Sequence, residues 1–187
     1  FYTMSLSMQR TKIIDINTIP EAGSDILIRG WIRTKRDSKN FSFMNVNDGS
    51  NLNGIQIIMD SDLSNYEEIK KLTTGASVQV NGKLVESPGK NQSYEIQAKD
   101  VHIYGDADPE LYPIQKKKMT LEYLREYAHL RPRTNTYSAI FRIRNSISFA
   151  THEFFKNRGF KYIHTPIITS ADRKSTRLNS ITWPSRM

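Results

Sequence analysis

The 187-residue sequence has no cysteine and no apolar run near the ~20 residues that a membrane-spanning helix needs. Without cysteine, disulfides and thiolate metal sites are excluded, which fits a reducing compartment. We therefore expect a cytoplasmic protein with no membrane partner. Phosphate-loop, dinucleotide-binding and nucleophile-elbow motifs are absent, as are clusters of metal ligands. Motifs thus predict no catalytic residue and no metal site.

An excess of basic residues is the first informative feature of the sequence. The chain carries 27 Lys and Arg against 19 Asp and Glu, for a formal net charge of +8 at pH 7. A basic domain favours a polyanionic partner because its field attracts phosphates. Many basic proteins bind no nucleic acid, so charge alone leaves that reading open.

Alternation of apolar and polar residues predicts five short strands between residues 24 and 104. A change of phase after Ala98 predicts a β-bulge near Asp100, and residues 64–72 predict a short helix between the third and fourth strands. Three strands, a helix and two strands is the order of an all-β OB-fold barrel, a class that commonly binds single-stranded nucleic acid. The apolar sides of the five strands are Ile26, Ile28, Gly30 and Ile32; Met44 and Val46; Ile55, Ile57 and Met59; Val78, Val80, Gly82 and Leu84; and Tyr94, Ile96 and Ala98.

The second half of the sequence predicts a linker and then a long helix. Residues 105–135 contain four interrupting Gly and Pro residues and a predicted short helix at residues 120–129. Apolar residues at helical spacing predict a helix over residues 136–158, with Thr136 as its cap and Gly159 as its stop. Residues 160–165 then alternate as a strand that Pro166 ends. The apolar face of the helix fits either a sheet of its own domain or a subunit interface.

Polar and aromatic residues on the outer side of the first three strands form the candidate site. An outward Phe43 offers a face on which a base stacks for about 1–3 kcal/mol. Neighbouring cations neutralise phosphate, and the Gln56 amide offers both a donor and an acceptor to a base edge. The cations are Arg33, Lys35 and Arg36. The alternative is a solvated strand face with one exposed aromatic residue.

Four stretches resemble class II aminoacyl-tRNA synthetases of the Asp/Asn/Lys group. GWIRTKR at residues 30–36 and GIQ at 54–56 resemble the anticodon-binding barrel. HLRPRTNT at residues 129–136 resembles the entry to the catalytic domain in its asparaginyl form, and residues 137–166 resemble motif 1, the dimerisation element. The resemblance covers about residues 9–171.

This resemblance implies a parent asparagine–tRNA ligase, which activates asparagine with ATP and Mg²⁺ and charges tRNA(Asn). It implies that Phe43 stacks on an anticodon base, that Gln56 reads the central uridine, and that Glu95 contacts another anticodon base. Arg33 and Arg36 would contact anticodon phosphates or bases. The dimer interface of the parent homodimer would include Ile140, Phe141, Ile147 and Pro166.

The resemblance also predicts the domain organisation. After Ala171 the sequence departs from the pattern of the family. The arginines of motifs 2 and 3 and the acidic metal ligands are absent, so we expect an N-terminal fragment that needs no cofactor and forms no adenylate.

Two alternatives stay open: a fragment of an aspartyl enzyme, or a stand-alone single-strand-binding barrel. The predicted segments are an extension at 1–8, the OB-fold at 9–105, a hinge at 106–135, the start of an α+β catalytic domain at 136–171 and a non-family tail at 172–187.

Overall fold

The structure is a computed structural model that describes residues 9–18, 22–38, 41–89, 92–115, 117 and 119–168. The predicted extension at 1–8 and tail at 172–187 lie outside the described residues. The chain divides into two compact units, Phe1–Ile143 and Arg144–Met187.

Five strands close into a barrel in the first unit. Each strand pairs with two neighbours in the order β1-β2-β3-β5-β4, and all pairs are antiparallel except β3 with β5. This confirms the predicted OB-fold. The strands are β1 (Asp25–Asp37), β2 (Phe41–Asn47), β3 (Ile55–Asp60), β4 (Ser77–Glu86) and β5 (Tyr94–Gly105).

The barrel core is built from the residues that the alternation marks as apolar. Ile28, Val46, Ile57 and Leu84 are all fully buried within one cluster. A 3₁₀ helix at Ile13–Thr18, which the sequence pattern did not predict, adds two more isoleucines to this cluster.

A short helix and a bulge complete the barrel as predicted. Helix α1 (Tyr66–Lys71) lies between β3 and β4 and packs Tyr66 and Ile69 into the core. In the β4–β5 ladder, Asn81 pairs with Asp100 but Gly82 pairs with Ala98, so one extra residue stands in β5. The change of apolar phase therefore does mark a bulge at this point.

Helix α2 (Leu121–Glu126) and helix α3 (Asn135–Asn157) follow the barrel. The predicted cap at Thr136 is wrong: Thr134 Oγ1 accepts from the Tyr137 N–H at 3.4 Å, and Thr136 already lies inside the helix. An N-cap side chain must precede the first turn to reach its free N–H groups, and Thr134 meets that condition. Gly159 ends α3 as predicted, at φ +85°, where glycine carries no Cβ penalty.

The predicted strand at residues 160–165 is not formed; these residues have no regular secondary structure. A strand needs a neighbour to satisfy its N–H and C=O groups, and no strand of the described residues pairs with this segment. No helix in the described parts of the chain has the length and hydropathy to span a membrane.

Candidate nucleic-acid interface

A shallow groove lies on the outside of β1, β2 and β3. Arg36 on β1 is directly opposite Phe43 on β2, and Asn45 on β2 is directly opposite Gln56 on β3. The structure therefore brings four of the predicted site residues together, namely Lys35, Arg36, Phe43 and Gln56. The groove is lined by Thr34, Lys35, Arg36, Phe43, Met44, Asn45 and Gln56.

A bulge in β1 decides which cations face this groove. Ile32 pairs with Val46 but Thr34 pairs with Asn45, which leaves Arg33 as the extra residue. An extra residue reverses the alternation of the side chains that follow it. Arg36 consequently lies on the outer face with Phe43. Lys35 lies on the same side of the strand as its partner, the buried Met44.

Lys35 is held by the protein itself. Its side chain is only 8% exposed, and its Nζ donates to Asp37 at 3.1 Å and to the Lys70 carbonyl at the end of α1. Burial alone would raise the pKa of Asp37, but hydrogen bonds from Ser42 and Lys35 outweigh it and hold that pKa below its usual value. The charge of Lys35 is thus compensated by Asp37, and Lys35 is poorly placed to neutralise phosphate.

Arg36 and Phe43 remain available at the mouth of the groove. Arg36 is exposed, and the described residues provide it with no ion-pair or hydrogen-bond partner. Phe43 is half-buried and meets Phe41 edge to face, with ring centroids 5.1 Å apart and an interplanar angle of 73°. The Phe41 ring fixes one edge of Phe43, which favours a defined orientation for stacking.

Gln56 and Glu95 form a polar pair beside the groove. Gln56 Nε2 donates to Glu95 Oε1 at 3.2 Å, and Glu95 is 4% exposed. The same oxygen accepts from Ser87 Oγ at 2.5 Å and from Gln92 Nε2 at 2.7 Å. Glu95 is therefore buried next to Gln56 and does not line the groove. Its predicted contact with a base stays a prediction.

Arg33 lies outside the groove. Its guanidinium donates to Asn135 Oδ1 at 2.9 Å, at the start of α3. Burial lowers the pKa of the Arg33 guanidinium, and the nearby charge of Arg133 acts in the same direction. Arg133 in turn stacks on Trp31, with its guanidinium carbon 4.7 Å from the ring centroid. The predicted contact of Arg33 with anticodon RNA also stays a prediction.

The predicted dimer residues lie along α3 and after it. Ile140 and Ile147 are 39% and 60% exposed, and Pro166 is exposed. Phe141 is half-buried, and the Arg131 guanidinium lies over its ring at 5.8 Å. An interface role for these four residues stays a prediction.

Two regions of the chain match known families. Residues 26–104 match the OB-fold nucleic acid binding domain of the tRNA anticodon type, and residues 120–181 match the tRNA synthetases of class II (D, K and N). Asparagine–tRNA ligase of Parabacteroides distasonis is 52% identical over 166 residues, or 89% of this chain and 36% of that protein. The chain is a homologue of asparagine–tRNA ligases. The ligase of Protochlamydia amoebophila is 53% identical over 169 residues, or 87% of this chain and 36% of that protein.

Solved structures show the same fold at low sequence identity. Asparaginyl-tRNA synthetase from Pyrococcus horikoshii, complexed with asparaginyl-adenylate, superposes with a TM-score of 0.76 at 20% identity over 87% of this chain and 38% of that chain. Aspartyl tRNA synthetase from Entamoeba histolytica superposes with a TM-score of 0.72 at 17% identity over 95% of this chain and 44% of that chain. The fold is thus common to asparaginyl and aspartyl enzymes. This asparagine–tRNA ligase homologue spans about 36% of the length of the curated relatives named above.

Some groove residues were not predicted from the sequence. Asn45 and Thr34 line the groove, and Ser87 and Gln92 hold Glu95. The position of Asn45 between the apolar Met44 and Val46 marks an outward side chain, so the alternation contained a signal for it. Ser87 and Gln92 flank a loop with no periodicity, and no sequence pattern indicates where their side chains point.

Proposed function

We propose that this chain is the anticodon-recognising part of an asparagine–tRNA ligase and that the groove binds the anticodon loop of tRNA(Asn). Phe43 stacks on an anticodon base, Gln56 reads the central uridine and Arg36 contacts the backbone. The single observation that carries the proposal is the convergence of a cation, an aromatic ring and an amide on one outer face of the barrel.

Each of the three groups suits single-stranded RNA. An aromatic ring stacks on any base, because every base has a π-face. A free guanidinium neutralises phosphate, and binding then weakens as salt rises. The amide adds a hydrogen-bond pattern that distinguishes bases. A merely solvated face would not need these three side chains together on the outer side of three adjacent strands, with Arg36 directly opposite Phe43 and Gln56 opposite the neighbouring Asn45.

The activity of the whole enzyme follows from the resemblance and extends beyond this chain. The parent activates asparagine with ATP and Mg²⁺, charges tRNA(Asn), works as a homodimer through the α3 region and acts in the cytoplasm. Within the described residues no group of three His, Asp or Glu side chains is placed to hold a metal ion, and we assign no catalytic step to this chain. The identity of about 50% to asparagine–tRNA ligases favours an asparaginyl over an aspartyl parent.

Binding of the tRNA(Asn) anticodon stem–loop tests the proposal. Phe43→Ala should weaken binding by about 1–3 kcal/mol through lost stacking, as measured by fluorescence anisotropy. Tyr104→Ala is the matched control, because Tyr104 is an exposed aromatic residue (54%) of β5 that does not line the groove. Equal affinity of Phe43→Ala and the unchanged chain would show that the groove is not the binding face.

A further inference from the structure

Side chains at the two ends of the β4–β5 loop converge on Glu95. Ser87 Oγ accepts from the Gly89 N–H at 3.1 Å and from Gln92 Nε2 at 3.3 Å, which leaves its own hydrogen for Glu95 Oε1 at 2.5 Å. Gln92 Nε2 also donates to that oxygen at 2.7 Å. Glu95 Oε1 is thus fixed in place as an acceptor by two side chains from the loop.

This arrangement sets the orientation of the Gln56 amide. Gln56 Nε2 donates to the same Oε1 atom at 3.2 Å. If the amide were rotated by half a turn, the Gln56 carbonyl oxygen would face an oxygen that already accepts two hydrogen bonds. Two acceptors cannot satisfy each other, so that orientation is disfavoured. Gln56 therefore has one N–H held by Glu95, with its carbonyl oxygen and second N–H left for another partner.

We infer that Ser87, Gln92 and Glu95 are positioning residues that fix the Gln56 amide and thereby make the groove select uracil over cytosine. The inference rests on the proposed function, in which Gln56 reads the central anticodon base. It changes the role of Glu95 from a contact with a base to a support for the residue that makes the contact.

The chemistry of the two pyrimidines explains the selection. Uracil offers an acceptor at O4 beside a donor at N3, whereas cytosine offers a donor at N4 beside an acceptor at N3. An amide in one orientation complements one of these patterns, and the other pattern requires the amide to rotate. A freely rotating glutamine would accept both bases equally, while the hydrogen bond to Glu95 opposes the rotation.

The test compares two stem–loops that differ only in having uridine or cytidine at the central anticodon position. With the full 187-residue chain we expect about tenfold tighter binding of the uridine loop, the lower part of the range for one bidentate base contact. Glu95→Leu and the double variant Ser87→Ala/Gln92→Ala should each reduce that ratio to about twofold. The salt dependence should not change, because no phosphate contact is lost.

One control and a second test variant keep the outcome clear. Ser93→Ala changes an exposed residue of the same loop and should leave the ratio at its original value. The double variant changes only half-buried loop residues, so it stays informative if Glu95→Leu fails to fold, which circular dichroism reports. A merely structural role would weaken binding of both loops equally.

The possible failures are distinguishable. If both variants keep the tenfold ratio, the inference is overturned while the proposed function stands. If the unchanged chain binds both loops equally, the inference is overturned together with the reading of the central uridine by Gln56, while the binding of the anticodon loop by the groove stands. If the unchanged chain binds neither loop, the proposed function is overturned, and this inference with it.

Discussion

The barrel and helix α3 both carry a clear apolar pattern, but only the barrel buries it. Ile57 and Leu84 of the barrel are 0% exposed, whereas α3 has no buried residue and its Ile143 and Ile147 are 59% and 60% exposed. In the barrel each strand has two hydrogen-bonded neighbours, so the inner faces cover one another. An amphipathic pattern therefore shows which face needs cover but not what supplies it.

The largest expected difference between the two regions is in stability. Leu84→Ala should lower the free energy of unfolding of the barrel by about 2–5 kcal/mol, because it leaves a cavity in a closed core. Ile147→Ala should change it by less than about 0.5 kcal/mol, because that side chain is exposed. Urea unfolding followed by circular dichroism measures both. A similar loss in Ile147→Ala, at a protein concentration too low for association, would mean that α3 is covered within the single chain.

The exposed face of α3 should also drive association between chains. Contiguous apolar patches beyond a few hundred Å² are uncommon on monomers. We expect the full chain to self-associate, and Ile143→Glu/Ile147→Glu to weaken that association about a hundredfold, or about 2.7 kcal/mol. Light scattering at matched concentrations provides the measurement.

Two matched samples complete that experiment. Ile14→Glu changes an isoleucine that is 51% exposed in the first unit and should leave association unchanged. A chain that ends at Gly105 lacks α3 and should stay monomeric. A monodisperse monomer for the full chain would contradict the prediction and remove the contrast between the two regions.

The smallest expected effect concerns the start of α3. Thr134→Ala should cost about 1 kcal/mol of helix stability, because it removes the side-chain acceptor for the Tyr137 N–H. Thr136→Ala should cost much less, since Thr136 already lies inside the helix. Thermal unfolding of the helical signal compares the two. A larger loss in Thr136→Ala would contradict the assignment of Thr134 as the N-cap and would favour Thr136, as the sequence pattern suggested.

Local patterns predicted the secondary structure where the structural cause is itself local. The period-2 alternation located all five strands, and the phase change before Val101 located the bulge in β5. Gly159 ended α3 because glycine adopts its positive φ without the penalty that a Cβ brings. The strand predicted after Gly159 failed because strand formation depends on a pairing partner as well as on alternation.

The candidate site was predictable in part for the same reason. Phe43 and Gln56 stand at outward positions of regular strands, so alternation placed them correctly. Arg33 is the extra residue of a bulge, and Lys35 and Arg36 follow it. The bulge leaves no mark in the pattern of their own strand, and of the three only Arg36 reaches the groove as a free cation. The bulge exists because β1 pairs with β2 in a particular register, which is a property of two strands together.

The sequence by itself therefore determined the order of the five barrel strands and of helices α1, α2 and α3, the apolar side of each strand and the family to which the chain is related. Tertiary structure alone decided which cation faces the groove, which residue supports Gln56 and which apolar face stays exposed. The physical reason is the separation along the chain over which each interaction acts. Alternation and turn chemistry act between neighbours in the chain, whereas the contacts of Gln56 with Glu95 and of Arg33 with Asn135 join residues 39 and 102 positions apart.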